Sequence, residues 1–106
     1  MIMRKKIMEN KNVKELIEYP SEGIISKNIV KEDGFDVGLF CMAKGTEMSN
    51  HTSVKQGTVY VVEGKGIFNL EGEDIEMKPG TIIYMKKDAV HSLKAEEDTA
   101  FILSLI

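Results

Sequence analysis

From Ile24 onward the chain consists of short apolar runs separated by turn residues, a pattern that leaves no room for a helix of more than two turns. We predict these runs as strands because they are rich in β-branched and aromatic residues. They are 24–30, 35–43, 58–62, 67–70, 75–77, 81–85, 90–93 and 100–106. The turns between them include Asp33-Gly34, Lys44-Gly45, Gly64-Lys65-Gly66, Glu71-Gly72 and Pro79-Gly80. We therefore expect an all-β fold of about eight or nine strands.

An open sheet of such short strands would expose two edges and one apolar face, so the pattern favours closure into a small antiparallel β-barrel. A length of 106 residues corresponds to one domain with a core of its own. We assign the barrel to residues 21–106 and a partly flexible lead-in to residues 1–20. Within the lead-in, Asn12 either caps a helix of two turns that ends before Pro20, or a turn or short strand lies there instead.

Composition excludes several classes of protein. Cys41 is the only cysteine, so neither an intramolecular disulfide nor a cysteine-based zinc site can form within one chain. A net charge of −3 argues against nucleic-acid binding, which needs clustered basic residues. No apolar stretch reaches the roughly 18 residues of a membrane span, and the N-terminus lacks the apolar segment of a secretory signal. We expect a cytoplasmic protein without membrane or nucleic-acid partners.

Most of the reactive chemistry that the sequence offers depends on two histidines, His51 and His91. His51 follows the turn at Gly45, and His91 lies in the predicted strand 90–93. A single histidine is more often structural than functional, but barrel topology can place two distant strands side by side. Buried imidazoles have lowered pKa values and stay neutral, so each can donate one hydrogen bond and accept another.

From Gly45 to Leu103 the chain resembles the cupins, small proteins built as a double-stranded β-helix, or jelly roll. The residues along the first cupin motif are Gly45, His51, Ser53, Gly57 and Gly64, and the family's hairpin is matched by the segment 60–68. The residues along the second motif are Gly80, Lys86-Lys87-Asp88, His91 and Ala95, with close matches over 77–83 and 90–93. The resemblance implies a cupin-type jelly-roll barrel.

The same resemblance implies a metal site that lacks some of its ligands. Metal-binding cupins hold their ion with two histidines and a glutamate of the first motif and one histidine of the second. His51 and His91 occupy two of these positions, whereas Ser53 stands at the second histidine position and Gly57 at the glutamate position. Two imidazoles are fewer than the three or four protein ligands usual for zinc or iron. Gly57 either provides space for a ligand beside His51 or reflects the loss of a metal role.

Other side chains are candidates to replace the missing ligands. Because successive side chains of a strand point to opposite faces, we expect Gln56 to face away from the side on which the neighbouring glutamate position lies. Cys41 is soft enough for a metal but is better interpreted as a small buried hydrophobe. Four methionines could either line the cavity or fill the core: Met42, Met48, Met77 and Met85. Core filling is the favoured role.

The sequence therefore predicts a small-molecule-binding cupin whose ligand pocket is formed by His51, Ser53, Gly57 and His91. A divalent transition metal (Zn, Mn, Fe or Ni) held weakly by the two histidines is the only cofactor expected. One alternative is a metal-dependent dioxygenase, isomerase or lyase that uses a third, unrecognised ligand. A second is a non-catalytic sensing or interaction module. The resemblance also implies a homodimer, for which strand 24–30 is the candidate edge.

Overall fold

The computed structural model describes residues 10–106, and within them the chain forms one short helix and nine strands. The helix is α1 (Val13–Leu16), and the strands are β1 (Ile24–Glu32), β2 (Phe35–Met42), β3 (Glu47–His51), β4 (Gly57–Glu63), β5 (Gly66–Leu70), β6 (Glu73–Met77), β7 (Ile82–Met85), β8 (His91–Ala95) and β9 (Thr99–Leu105). The all-β prediction is confirmed. Eight strands lie where the apolar runs predicted them, and the polar β3 was not foreseen as a strand. The flexibility expected of the lead-in falls partly on residues 1–9, outside the described residues.

Two antiparallel sheets face each other, as in a jelly roll. One has the order β1-β2-β9-β4-β7 and the other the order β3-β8-β5-β6. The main core lies between them because alternate side chains of both sheets point inward. Its fully buried members include Met42, Val59, Val61, Phe68 and Met77. This interior is the frame in which the histidines are held.

A second, smaller apolar cluster covers the outer face of the five-stranded sheet. Leu39, Cys41 and Ala100 form its buried centre, and side chains of residues 13–19 pack over them. The interpretation of Cys41 as a buried hydrophobe is confirmed, and its thiol lies on the face opposite the barrel interior. Asn12 caps α1 by accepting a hydrogen bond from the Lys14 backbone N–H, so a helix does begin there, but it ends at Leu16 after one turn instead of continuing for two turns towards Pro20.

Strand β1 lies at one edge of the five-stranded sheet, where the sequence placed the candidate edge of a homodimer. The dimer itself stays a prediction. Within residues 10–106, no helix is long and apolar enough to cross a membrane.

The N-terminal segment is attached to the barrel by polar contacts to Glu63, at the end of β4. The Tyr19 hydroxyl donates a hydrogen bond of 2.7 Å to this carboxylate, and the Lys14 ammonium lies 3.1 Å from it. These contacts, the Tyr19 bond foremost, hold the pKa of Glu63 below its usual value. Burial, followed by the bond to Glu63, raises the pKa of Tyr19.

Replacing Tyr19 with phenylalanine should lower the free energy of unfolding by about 1 kcal/mol at pH 7, because Glu63 loses its strongest hydrogen bond. A carboxyl group with a depressed pKa in the folded state stabilises the fold above its unfolded pKa. That contribution is lost as the pH falls through the folded value. Urea unfolding should therefore show the difference from wild type shrinking below about pH 4.5. The half-exposed Tyr60 is the matched control, and equal losses for Tyr19→Phe and Tyr60→Phe would contradict the assignment.

Candidate functional site

A β-bulge brings the two histidines together. Strands β3 and β8 pair antiparallel, with Met48 opposite Leu93 and His51 opposite His91. Between these pairs β3 advances by three residues and β8 by two, so β3 contains one extra residue. The bulge reverses the alternation of β3 and turns His51 to the inner face, where regular alternation would have placed Asn50.

The bulge residues Ser49 and Asn50 border a groove on the outer surface of the four-stranded sheet. The freed carbonyl oxygen of Ser49 accepts a hydrogen bond of 2.7 Å from Nδ1 of His51. The bulge thus both redirects the imidazole and fixes its orientation.

The two imidazoles are in direct contact. Their ring centroids lie 4.1 Å apart, with an angle of 63° between the ring planes. Nδ1 of His91 lies 3.0 Å from the carbonyl oxygen of Ala89. Since a carbonyl oxygen can only accept, each Nδ1 carries a proton, and in a neutral imidazole of this tautomer Nε2 has a free lone pair. The site therefore holds two adjacent nitrogen donors of the same tautomer.

Burial differs between the two histidines. His91 is only 5 % exposed and stacks on Phe68, with ring centroids 5.6 Å apart. Burial, with a smaller contribution from His51, lowers the pKa of His91 below its ordinary value, against the opposing hydrogen bond to Ala89. His51 is exposed and lies at the mouth of the barrel. The inner imidazole is therefore neutral at pH 7, and the outer one is accessible from solvent.

The histidines border a small cavity inside the barrel, with a volume of about 40 Å³. Its other lining residues are apolar: Phe40, Met48, Val59, Phe68, Met85, Leu93, Phe101 and Leu103. A space of this size holds an ion or a few water molecules, since one water needs roughly 10–15 Å³ on this measure. Pockets for organic ligands measure roughly 300–1,000 Å³.

The other two predicted pocket residues, Ser53 and Gly57, are not among the residues that line this cavity. Ser53 accepts a hydrogen bond from the Lys55 backbone N–H through its hydroxyl, and another from the Asp88 N–H through its carbonyl. Gly57 is buried at the start of β4, where an added Cβ would overlap the carbonyl oxygen of Ser104. The structure therefore brings together His51 and His91, while Ser53 and Gly57 shape the backbone nearby.

The structure also locates the other side chains that could serve as metal ligands. Among residues 10–106, no group of three or more His, Cys, Asp or Glu side chains is arranged to hold a metal ion. Gln56 points outward, as alternation predicted, and accepts a hydrogen bond from the Tyr84 hydroxyl. Two thioethers, those of Met48 and Met85, line the cavity beside the histidines. The sequence pointed to these methionines but favoured a role in core filling.

Comparison with known proteins identifies the family. The cupin domain matches residues 38–106, which is well over half of the chain. This chain belongs to the cupin family. The bounds of the match include β3 and β8, the strands that carry the histidine pair. No match was found among proteins of curated function.

Solved structures confirm the cupin fold. A conserved Streptococcus pyogenes protein of unknown function superimposes with a TM-score of 0.83 at 20 % identity, covering 99 % of this chain and 90 % of its own. A cupin superfamily protein from Desulfitobacterium hafniense has a TM-score of 0.87 at 15 % identity, covering 98 % of both chains. A salicylate 1,2-dioxygenase from Pseudaminobacter salicylatoxidans has a TM-score of 0.73 at 19 % identity, covering 78 % of this chain and 26 % of its own. At these identities the likeness is one of fold.

Proposed function

We propose that this cupin binds a transition-metal ion through Nε2 of His51 and Nε2 of His91, and that a small molecule completes the coordination at the mouth of the barrel. The observation that carries the proposal is the pair of adjacent imidazoles that share one tautomer. Each Nδ1 is committed to a backbone carbonyl, an outer contact typical of metal-binding histidines. Both Nε2 atoms are thus left for binding an ion.

The size of the cavity supports an ion in the interior and a molecule outside it. About 40 Å³ accommodates an ion with a water molecule, whereas an organic ligand needs several times that volume. Two protein ligands leave coordination positions open, and the exposed His51 gives access to them. A small molecule would therefore bind at the mouth of the barrel, as an exchangeable ligand of the ion.

The neutral state of His91 favours the same function. A metal ligand must present a lone pair, so protons compete with the ion. Because burial lowers the pKa of His91, this imidazole stays unprotonated at neutral pH. A barrel that serves only as a scaffold predicts a filled interior, so the cavity beside His51 supports the proposal over that alternative.

The test is titration of metal-stripped protein with Zn²⁺, Ni²⁺ and Co²⁺ by isothermal calorimetry, with bound metal counted by elemental analysis. We expect one ion per chain, and we expect His51→Ala or His91→Ala to weaken binding by at least about tenfold. The matched control is Ser92→Ala, since Ser92 neighbours His91 in β8 but lines the outer groove. Absence of binding to the wild-type protein, or equal affinity in the double histidine variant, would refute the proposal.

A further inference from the structure

Two methionines border the histidine pair. Met48 lies on β3 three residues before His51, and its partner Leu93 follows His91 on the same inner face of β8. Met85 ends β7, is only 2 % exposed, and reaches the cavity from the opposite sheet. Both side chains line the same 40 Å³ space as the imidazoles. The cavity thus has four side chains with lone pairs, two nitrogen and two sulfur.

Hard ligands are missing from this set. Among residues 10–106, no carboxylate, hydroxyl or amide side chain lines the cavity, and the rest of its described lining is aromatic or aliphatic. The buried thiol of Cys41 belongs to the cluster on the outer face of the five-stranded sheet. Thioethers and imidazoles are ligands of soft ions, whereas Mg²⁺, Ca²⁺ and Mn²⁺ prefer oxygen. The chemistry of the lining therefore discriminates among metals.

The charge of the lining side chains also discriminates among metals. Within the part of the chain that the structure describes, the cavity lining includes no negative side chain to compensate a bound cation. The cost of transferring an ion from water to apolar surroundings rises steeply with its charge, so a monovalent cation is buried more cheaply than a divalent one. Among soft transition-metal ions, copper(I) combines a single positive charge with a preference for sulfur ligands.

We infer that the cavity is a copper(I) site in which Nε2 of His51, Nε2 of His91 and the thioether of Met48 or Met85 bind the ion. The inference rests on the proposed metal-binding function of the histidine pair and names the ion that this cavity selects. Unlike methionines that only fill the core, these methionines contribute to the affinity for copper(I) through their sulfur atoms, and that contribution can be measured.

Leucine separates the two roles of these methionines, because a Met→Leu exchange keeps volume and hydrophobicity at a cost below about 1.5 kcal/mol. The test pair is the double variant Met48→Leu/Met85→Leu. Its matched control is Met42→Leu/Met77→Leu, which alters two methionines of the same core that do not line the cavity. Thermal unfolding of each metal-free variant establishes that it is folded.

The experiment is an anaerobic copper(I) titration in competition with a chromophoric copper(I) chelator, alongside a Zn²⁺ titration of the same proteins. We expect wild type to bind one copper(I) more tightly than Zn²⁺. The Met48→Leu/Met85→Leu variant should lose at least about tenfold in copper(I) affinity and change little for Zn²⁺, and the control should match wild type. X-ray absorption at the copper edge should show sulfur scattering that the first variant lacks.

The possible failures are distinguishable. If Zn²⁺ or Ni²⁺ binds through the histidines, but copper(I) affinity is the same in both methionine variants, the copper inference is wrong and the proposed function stands. Tighter binding of Zn²⁺ than of copper(I) by wild type would likewise overturn the inference alone. If no ion of either kind binds to wild type, both fail together.

Discussion

Replacing Gly57 with alanine should lower the free energy of unfolding by about 3 kcal/mol, although only one methyl group is added. The new Cβ would overlap the carbonyl oxygen of Ser104 and lie 2.8 Å from Cδ2 of Leu105. Gly57 pairs with Leu105 on β9 and with Met85 on β7, so neither backbone can move away without losing ladder hydrogen bonds. Urea unfolding at pH 7 measures the loss.

The matched control is Gly38→Ala, in the neighbouring part of the same sheet. There the added Cβ would meet a ring atom of Phe40 at 3.2 Å, and a side chain can tilt where a paired backbone cannot. We expect a loss of about 1 kcal/mol for this variant. Comparable losses for Gly57→Ala and Gly38→Ala would contradict the close approach of β9. The structure also predicts that Gly57→Glu destabilises the barrel, whereas the motif alone suggested that a glutamate there would restore a metal ligand.

Replacing Gly64 with alanine should also lower the free energy of unfolding by about 3 kcal/mol, for two reasons that act together. Gly64 has a φ of +108°, in the left-handed region that costs a residue with a side chain about 1–2 kcal/mol. In addition, its Cβ would overlap the carbonyl oxygen of Asp98 and the backbone and side chain of Thr99. The turn between β4 and β5 therefore tolerates glycine alone, and denaturant unfolding should show the full loss.

Gly80→Ala separates these two reasons. Gly80 has a φ of +92°, but apart from its two chain neighbours no described residue has an atom within 4 Å of the position its Cβ would take. This variant should lose only the backbone cost, about 1 kcal/mol. An equal loss at Gly64 and Gly80 would show that crowding against Asp98 and Thr99 contributes nothing. The turn patterns Gly64-Lys65-Gly66 and Pro79-Gly80 predict a positive φ at Gly66 and at Gly80. This is confirmed at Gly80 and wrong at Gly66, where glycine is required because an added Cβ would lie 2.5 Å from the Lys94 carbonyl oxygen.

Most strands could be predicted because local chemistry determines them. Asp33-Gly34 lies between β1 and β2, and Pro79-Gly80 lies before β7, as the turn residues indicated. The exception is β3, whose residues Glu47 to His51 carry almost no apolar periodicity. It is a strand because it pairs with β8, so its backbone hydrogen bonds come from a segment some forty residues away along the chain.

The candidate site was predictable only in part. The motif spacing implied that His51 and His91 belong to one site, and the structure places them in contact at 4.1 Å between ring centroids. The motif also implied a pocket role for Ser53 and Gly57, which do not line the cavity. Met48 and Met85 do line it, but methionine is a general core residue, so its presence in a sequence does not indicate which ones face a functional site.

The sequence by itself determined the fold class, the turns and the pair of histidines, since these follow from local propensity and from motif residues. The tertiary structure decided which side chains share the cavity. One extra residue in β3 turns His51 inward, and the backbone of β9 excludes any side chain at Gly57. Both effects depend on how strands distant in sequence register against each other, and a shift of one residue in register reverses the face of every side chain.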